Sequence, residues 1–195
     1  MKHVMVITLV LAAGVAIAGE KTPDTSEFTL DAGTRIQITG ELGDASPIWD
    51  RSFGAGAPAP TTCDFPFEDS SIDGQYYDFF CIESTDENPI SIAVDPAGTT
   101  IGDTTLYLFC DPFDPSMATS NGAYYDDDGG EGLLSAFLPG DNVVLPPGTE
   151  YWLVISTFSG GDAGTFVLDT SDNVALCGGV AVEQSDWSSF KGLFE

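Results

Sequence analysis

The sequence has few basic residues and almost no histidine. Its 195 residues include five Lys and Arg against 31 Asp and Glu, and the formal net charge is −26. Binding to nucleic acid requires a basic patch on the protein surface, which a few scattered cations cannot form. Attraction to an anionic membrane surface is disfavoured for the same reason. The composition therefore predicts neither a nucleic-acid-binding protein nor a membrane-surface protein.

Residues 1–18 have the pattern of a secretory signal peptide. Lys2 and His3 precede an apolar run over residues 4–17, and Ala16-Ile17-Ala18 fits an A-x-A cleavage site. The run is shorter than the ~20 residues of a membrane-spanning helix. We therefore expect cleavage after Ala18, secretion, and no membrane insertion of the mature chain. Because His3 is the only histidine, the mature chain would have no Ser-His-Asp triad, Cys-His dyad or His-ligated zinc.

Four cysteines in an exported chain predict two disulfides. Three pairings are possible, and the sequence does not choose among them. No C-x-x-C spacing occurs, which argues against a zinc knuckle or a thioredoxin-like redox motif. The cysteines are Cys63, Cys81, Cys110 and Cys177.

Short strand patterns follow one another through the chain, and no sustained helical period occurs before residue 180. Residues 104–110 and 151–155 are apolar at successive positions, which predicts strands that are buried on both faces. About eight or nine strands, at spacings near 8–12 residues, indicate an antiparallel sandwich or barrel. Between residues 41 and 62 we expect a loop in which Trp49 covers the end of the core and Arg51 pairs with an acid. The other predicted strands are 27–31, 35–40, 76–83, 90–94, 133–138 and 165–169.

The most concentrated acidic feature is the run Asp126-Asp127-Asp128, which is followed by two glycines. Calcium prefers carboxylate and carbonyl oxygens, and loops of this composition supply them. Asp103, directly before a core strand, could approach the run in space. These four residues are the candidate calcium ligands. The alternative is a solvated loop in which Asp and Gly serve turn geometry.

Five short motifs occur in order between residues 75 and 170. They are Tyr76-Tyr77-Asp78-Phe79, Asp103-Thr104-Thr105-Leu106-Tyr107-Leu108-Phe109, Asp127-Asp128 followed by Ser135, Pro147-Gly148-Thr149-Glu150-Tyr151-Trp152-Leu153-Val154, and Gly164-Thr165-Phe166-Val167-Leu168. This series resembles the bacterial pre-peptidase C-terminal domain, although Phe166 stands where that family usually has Tyr. The resemblance implies a jelly-roll-like β-sandwich that acts as an accessory domain in surface or matrix attachment. Some related domains bind calcium.

The sequence thus predicts a signal peptide (1–18), an N-terminal region (19–62), a β-sandwich core (63–177) and a C-terminal tail (178–195). In the tail, Trp187, Phe190 and Phe194 share one face of a short helix, and they dock on the domain or bind a partner. No catalytic motif is recognisable, so we expect a non-enzymatic module that binds an extracellular matrix or cell-surface polymer. The alternative is self-association into an extracellular fibre or coat, with a terminal extension adding a strand to a neighbour's sheet.

Overall fold

The computed structural model describes residues 28–30, 35–53, 62, 63, 65 and 67–177. The predicted signal peptide and the tail residues Trp187, Phe190 and Phe194 lie outside the described residues. No helix in the described ranges is long and apolar enough to cross a membrane.

Strands and turns make up nearly all of the described chain, as the breaker-rich sequence predicts. The strands are β1 (Phe28–Leu30), β2 (Ile36–Leu42), β3 (Ile48–Phe53), β4 (Glu68–Ser84), β5 (Ile92–Val94), β6 (Thr104–Cys110), β7 (Gly122–Asp126), β8 (Ala136–Phe137), β9 (Tyr151–Thr157), β10 (Gly164–Thr170) and β11 (Val174–Leu176). Two short 3-10 helices span Pro115–Met117 and Pro139–Asp141.

The strands form two sheets, and each strand pairs antiparallel with its neighbours. One sheet has the order β1-β2-β10-β5-β8, and the other has the order β11-β4-β9-β6-β7 with β3 added against the first half of β4. The main core includes Ile38 and Phe166 of the first sheet and Leu106, Leu153 and Ile155 of the second, all fully buried. The prediction of an all-β antiparallel β-sandwich is confirmed.

The six-stranded sheet is also buried on its outer side. Leu106 and Leu108 of β6 belong to the main core, whereas Tyr107 and Phe109 belong to a second cluster that is mostly aromatic. All seven residues of β6 are buried as a result. The predicted burial of residues 104–110 on both faces is therefore confirmed, and an aromatic layer on the outside of the sheet is its cause.

The expectation of a loop between residues 41 and 62 is wrong for Ile48–Phe53, which form β3 along β4. Trp49 lies inside the outer aromatic layer, with its ring centroid 5.1 Å from that of Tyr77 and 5.0 Å from that of Tyr107. Arg51 is buried, and its Nε donates a hydrogen bond to the carbonyl of Phe158 at 3.0 Å. Its guanidinium lies 4.2 Å from the centre of the Phe158 ring.

The acidic loop, residues 126–135, does not lie between two long core strands. It follows β7, which pairs with β6, and it leads to the two-residue strand β8 in the opposite sheet. The predicted strand over residues 133–138 is therefore reduced to Ala136–Phe137. β7 was not predicted, although Tyr124 and Tyr125 are both buried. The acidic loop thus crosses from one sheet to the other.

β1 completes the molecule's own five-stranded sheet. It pairs with β2 in the register Phe28 with Ile38 and Leu30 with Ile36. In the sequence, residues 31–35 separate the two strands. In the part of the chain that the structure describes, the N-terminal strand is therefore already engaged in its own sheet.

The disulfides join Cys63 to Cys110 and Cys81 to Cys177. The first ties the segment before β4 to the end of β6. The second ties the C-terminal part of β4 to the residue that follows β11. This is one of the three pairings that the sequence leaves open.

Candidate functional site

Three loops bring carboxylates to one end of the sandwich. Thr104 is the register partner of Thr157, so Asp103 lies near the turn that follows β9. Leu106 is the partner of Asp126, so the acidic loop begins beside the start of β6. Antiparallel pairing therefore places Asp103, the acidic loop and the turn that carries Asp162 at the same end.

Asp103 is the least compensated of these acids. Its Oδ1 is buried and has no hydrogen-bond partner among the described residues. Burial raises the pKa of Asp103, and so do the negative charges of Asp128, Asp127 and Asp162. The positive charge of Arg51 opposes them. Three carboxylates from two other loops thus act on one buried oxygen, and a cation there would remove this electrostatic cost.

Asp126 is held by hydrogen bonds within its own loop. Its Oδ1 accepts hydrogen bonds from the backbone amides of Gly129, at 2.7 Å, and Ala136, at 2.9 Å. Burial raises the pKa of Asp126, and these two hydrogen bonds lower it. The carboxylate therefore helps to close the acidic loop, and the calcium-ligand role of Asp126 stays a prediction.

The side chains of Asp127 and Asp128, the next two residues of the loop, make fewer hydrogen bonds than that of Asp126. Asp127 Oδ2 accepts a hydrogen bond from the Tyr125 hydroxyl at 3.1 Å, and Asp128 is exposed. Asp162 completes the group, and sequence reasoning missed it. The sequence shows Asp162 in the turn Gly160-Gly161-Asp162 before β10. Only the sheet topology places that turn beside Asp103. We call Asp103, Asp127, Asp128 and Asp162 the acidic end.

In the structure, the carboxylates of the acidic end are not close enough together to form a coordination shell. Among the described residues, the one group of three metal-ligating side chains whose ligand atoms all lie within 4.8 Å of one another is Cys81, Glu150 and Cys177. Those two sulfurs form a disulfide and offer no thiolate to a metal. An ion at the acidic end therefore requires rotation of the side chains of Asp128 and Asp162, both of which are exposed.

A second surface feature lies on the outer face of the six-stranded sheet. Phe79, Phe113 and Trp152 are partly buried members of the outer aromatic cluster. The ring centroid of Phe79 is 5.5 Å from that of Trp152 and 5.7 Å from that of Phe113. The indole N–H of Trp152 donates a hydrogen bond to Asp111 at 3.0 Å. We call these three rings the aromatic border.

No family model matches the sequence, and no curated protein matches it. Among solved structures, the chain is similar to "CBM35 from Cellvibrio japonicus Abf62". The match has 9% sequence identity, covers 71% of this chain and 96% of that chain, and has a TM-score of 0.29. A likeness at this level carries no information on function, and the resemblance to the pre-peptidase C-terminal domain stays a prediction.

Proposed function

We propose that this protein is an exported, non-enzymatic binding module that attaches to an extracellular polymer through calcium held at the acidic end. The observation that carries the proposal is the buried Oδ1 of Asp103, which has no hydrogen-bond partner among the described residues and lies in the field of three other carboxylates. A carboxylate oxygen that is buried without a hydrogen bond is costly, so such a position favours a bound cation.

The ligand chemistry fits calcium. Calcium takes about six to eight oxygen ligands in flexible geometry, and carboxylates on loops can adjust to it. Asp103, Asp127, Asp128 and Asp162 would supply some of these ligands and leave coordination positions open. Hydroxyl or carboxylate oxygens of a polymer fill such positions. The ion would also reduce the local negative charge of the acidic end, which otherwise repels anionic groups of a polymer.

Export and attachment rest on separate features. The signal-peptide pattern and the two disulfides support an extracellular location, because disulfides persist in oxidising compartments. The resemblance to the pre-peptidase C-terminal domain supports an accessory role in attachment. Its quoted residues Asp103, Asp127 and Ser135 lie together in the structure, since Ser135 hydrogen-bonds to the residue after Asp103 and to the carbonyl of Asp127.

The test is co-sedimentation of the mature chain, residues 19–195, with insoluble polysaccharides and cell-wall material. Binding is measured in about 1 mM calcium, the range of extracellular calcium modules, and again in excess chelator. The variant is Asp103→Asn. The control is Glu87→Gln, an exposed acid in the loop between β4 and β5, at the opposite end of the sandwich.

We expect binding in calcium, loss of binding in chelator or with Asp103→Asn, and no loss with Glu87→Gln. Equal binding with and without calcium would overturn the role of the ion. The absence of binding to every polymer, by a protein that binds calcium, would overturn the attachment function.

A further inference from the structure

The outer aromatic layer is covered over most of its area but not at the aromatic border. Trp49, Phe67, Tyr107 and Phe109 are buried, whereas the three rings of the border are only partly buried. Clustered, partly exposed aromatic rings on a protein surface mark an interaction site more often than isolated apolar side chains do.

The described chain ends beside this border. Cys177, its last residue, is disulfide-bonded to Cys81, and their Cα atoms are 5.2 Å apart. Cys81 is the cross-strand partner of Trp152 in the β4–β9 register, and it lies two positions after Phe79 on the same face of β4. The disulfide therefore holds Cys177, the last described residue, next to the partly buried rings.

The segment that begins there carries a matching set of aromatic side chains. Trp187, Phe190 and Phe194 recur at the spacing of one helical face. Trp187 is ten positions after Cys177. Ten positions span up to about 33 Å when extended, so the tail can reach the border from Cys177. Attachment through a short tether gives an effective concentration on the order of millimolar, so weak contacts are sufficient.

We propose that the segment 186–194 docks on the aromatic border of its own domain, with Trp187, Phe190 and Phe194 against Phe79, Phe113 and Trp152. Lys191 is the only cation in residues 178–195, and the exposed carboxylates of Asp111 and Glu150 lie beside the border. This contact is independent of calcium and of the acidic end.

The test uses the whole mature chain and follows the indole N–H resonance of Trp152 by NMR, together with hydrogen exchange of residues 77–81 and 150–154. The tail variant is Trp187→Ala with Phe190→Ala. Its matched control is Ser185→Ala with Ser189→Ala, which lie on the opposite face of the same helical period. A second variant, Phe113→Ala, removes the ring of the border that lies on a loop rather than on a strand.

We expect the tail variant to shift the Trp152 resonance and to speed exchange in both segments several-fold, with no dependence on protein concentration. The serine control should leave both unchanged, and Phe113→Ala should reduce the protection as the tail variant does. Identical spectra and exchange for the wild type and the tail variant would overturn the proposal.

Two further outcomes would also overturn it, and both identify another occupant. If protection rises with protein concentration and the wild type sediments as an oligomer while the tail variant is monomeric, the tail docks on a second copy. In the other outcome, the wild type and the tail variant have the same Trp152 resonance without sugar, and soluble oligosaccharides shift it equally in both. The border would then be a sugar-binding surface. A failure of calcium-dependent attachment would leave the tail proposal untouched, because none of these readouts involves the acidic end.

Discussion

Three hydrogen bonds connect Ser135 to Thr104 and thereby join the acidic loop to the first residue of β6. The Ser135 amide donates to Thr104 Oγ1 at 2.9 Å, and the Ser135 hydroxyl donates to the Thr104 carbonyl at 2.6 Å. The two hydroxyl oxygens are 3.2 Å apart, and both side chains are fully buried. This pair sets the position of Asp127 and Asp128 relative to Asp103.

Replacing Ser135 by alanine should destabilise the protein by about 1–3 kcal/mol, because the buried carbonyl and hydroxyl of Thr104 lose a partner. Chemical denaturation of the mature chain measures the change. Ser120→Ala, at a partly exposed serine after the first 3-10 helix, is the control and should change stability by less than about 0.5 kcal/mol. A Ser135→Ala protein as stable as the control would show that the pair does not anchor the loop.

Asp126 and Asp128 should respond differently to truncation. Asp126→Ala should cost about 1–3 kcal/mol of unfolding free energy, because it removes the acceptor of the Gly129 and Ala136 amides. Asp126→Asn keeps an Oδ1 acceptor and should cost less. Asp128→Ala should stay within about 0.5 kcal/mol, since Asp128 is exposed. The same denaturation experiment compares them, and equal losses at residues 126 and 128 would contradict the separate roles.

In the folded protein, all six tyrosines should ionise at a higher pH than in the unfolded chain. Burial raises the pKa of Tyr107 and Tyr124 to about 12. It is also the main cause of the raised pKa values of Tyr77, Tyr125 and Tyr151, whereas the hydrogen bond to Asp44 is the main cause for Tyr76. Unfolded tyrosines lose their protons near pH 10. The unfolded state therefore binds fewer protons above that pH, and stability falls as pH rises from about 10.

Absorbance at 295 nm, recorded against pH for the native and the denaturant-unfolded chain, checks this expectation. The unfolded curve should have its midpoint near pH 10 and the native curve should be displaced upward. Coincident curves would mean that the tyrosines are not buried as described.

Much of the fold could be predicted from local sequence pattern. Continuous apolar runs such as 104–110 and 151–155 correspond to the central strands β6 and β9. The expected strands over 35–40 and 165–169 correspond to β2 and β10. The period of two and the turn residues suffice for such elements, because their side chains pack in the core whichever partner they take.

The missed elements depend on long-range pairing. β3 has polar residues such as Asp50 and Ser52, and it becomes a strand because β4 extends back to Glu68 and pairs with it. Trp49 gains burial against Tyr77 and Tyr107, which come from distant parts of the chain. No local pattern contains this information.

The candidate site also depends on long-range pairing that the local sequence does not contain. Asp103, Asp127 and Asp128 could be predicted because two of them are adjacent in sequence and the third precedes a core strand. Asp162 could not, because it reaches the acidic end only through the antiparallel pairing of β9 with β6. Asp126 looked equivalent to its neighbours in sequence, and only its two backbone hydrogen bonds separate it from them.

Calcium titration of the mature chain by isothermal calorimetry tests the central claim most directly. The account predicts saturable binding of one ion with a dissociation constant of about 0.1–1 mM, as in extracellular calcium modules. Affinity should be lost in Asp103→Asn and kept in Glu87→Gln. Heats equal to dilution for the wild type, or the same affinity in the wild type and Asp103→Asn, would contradict it.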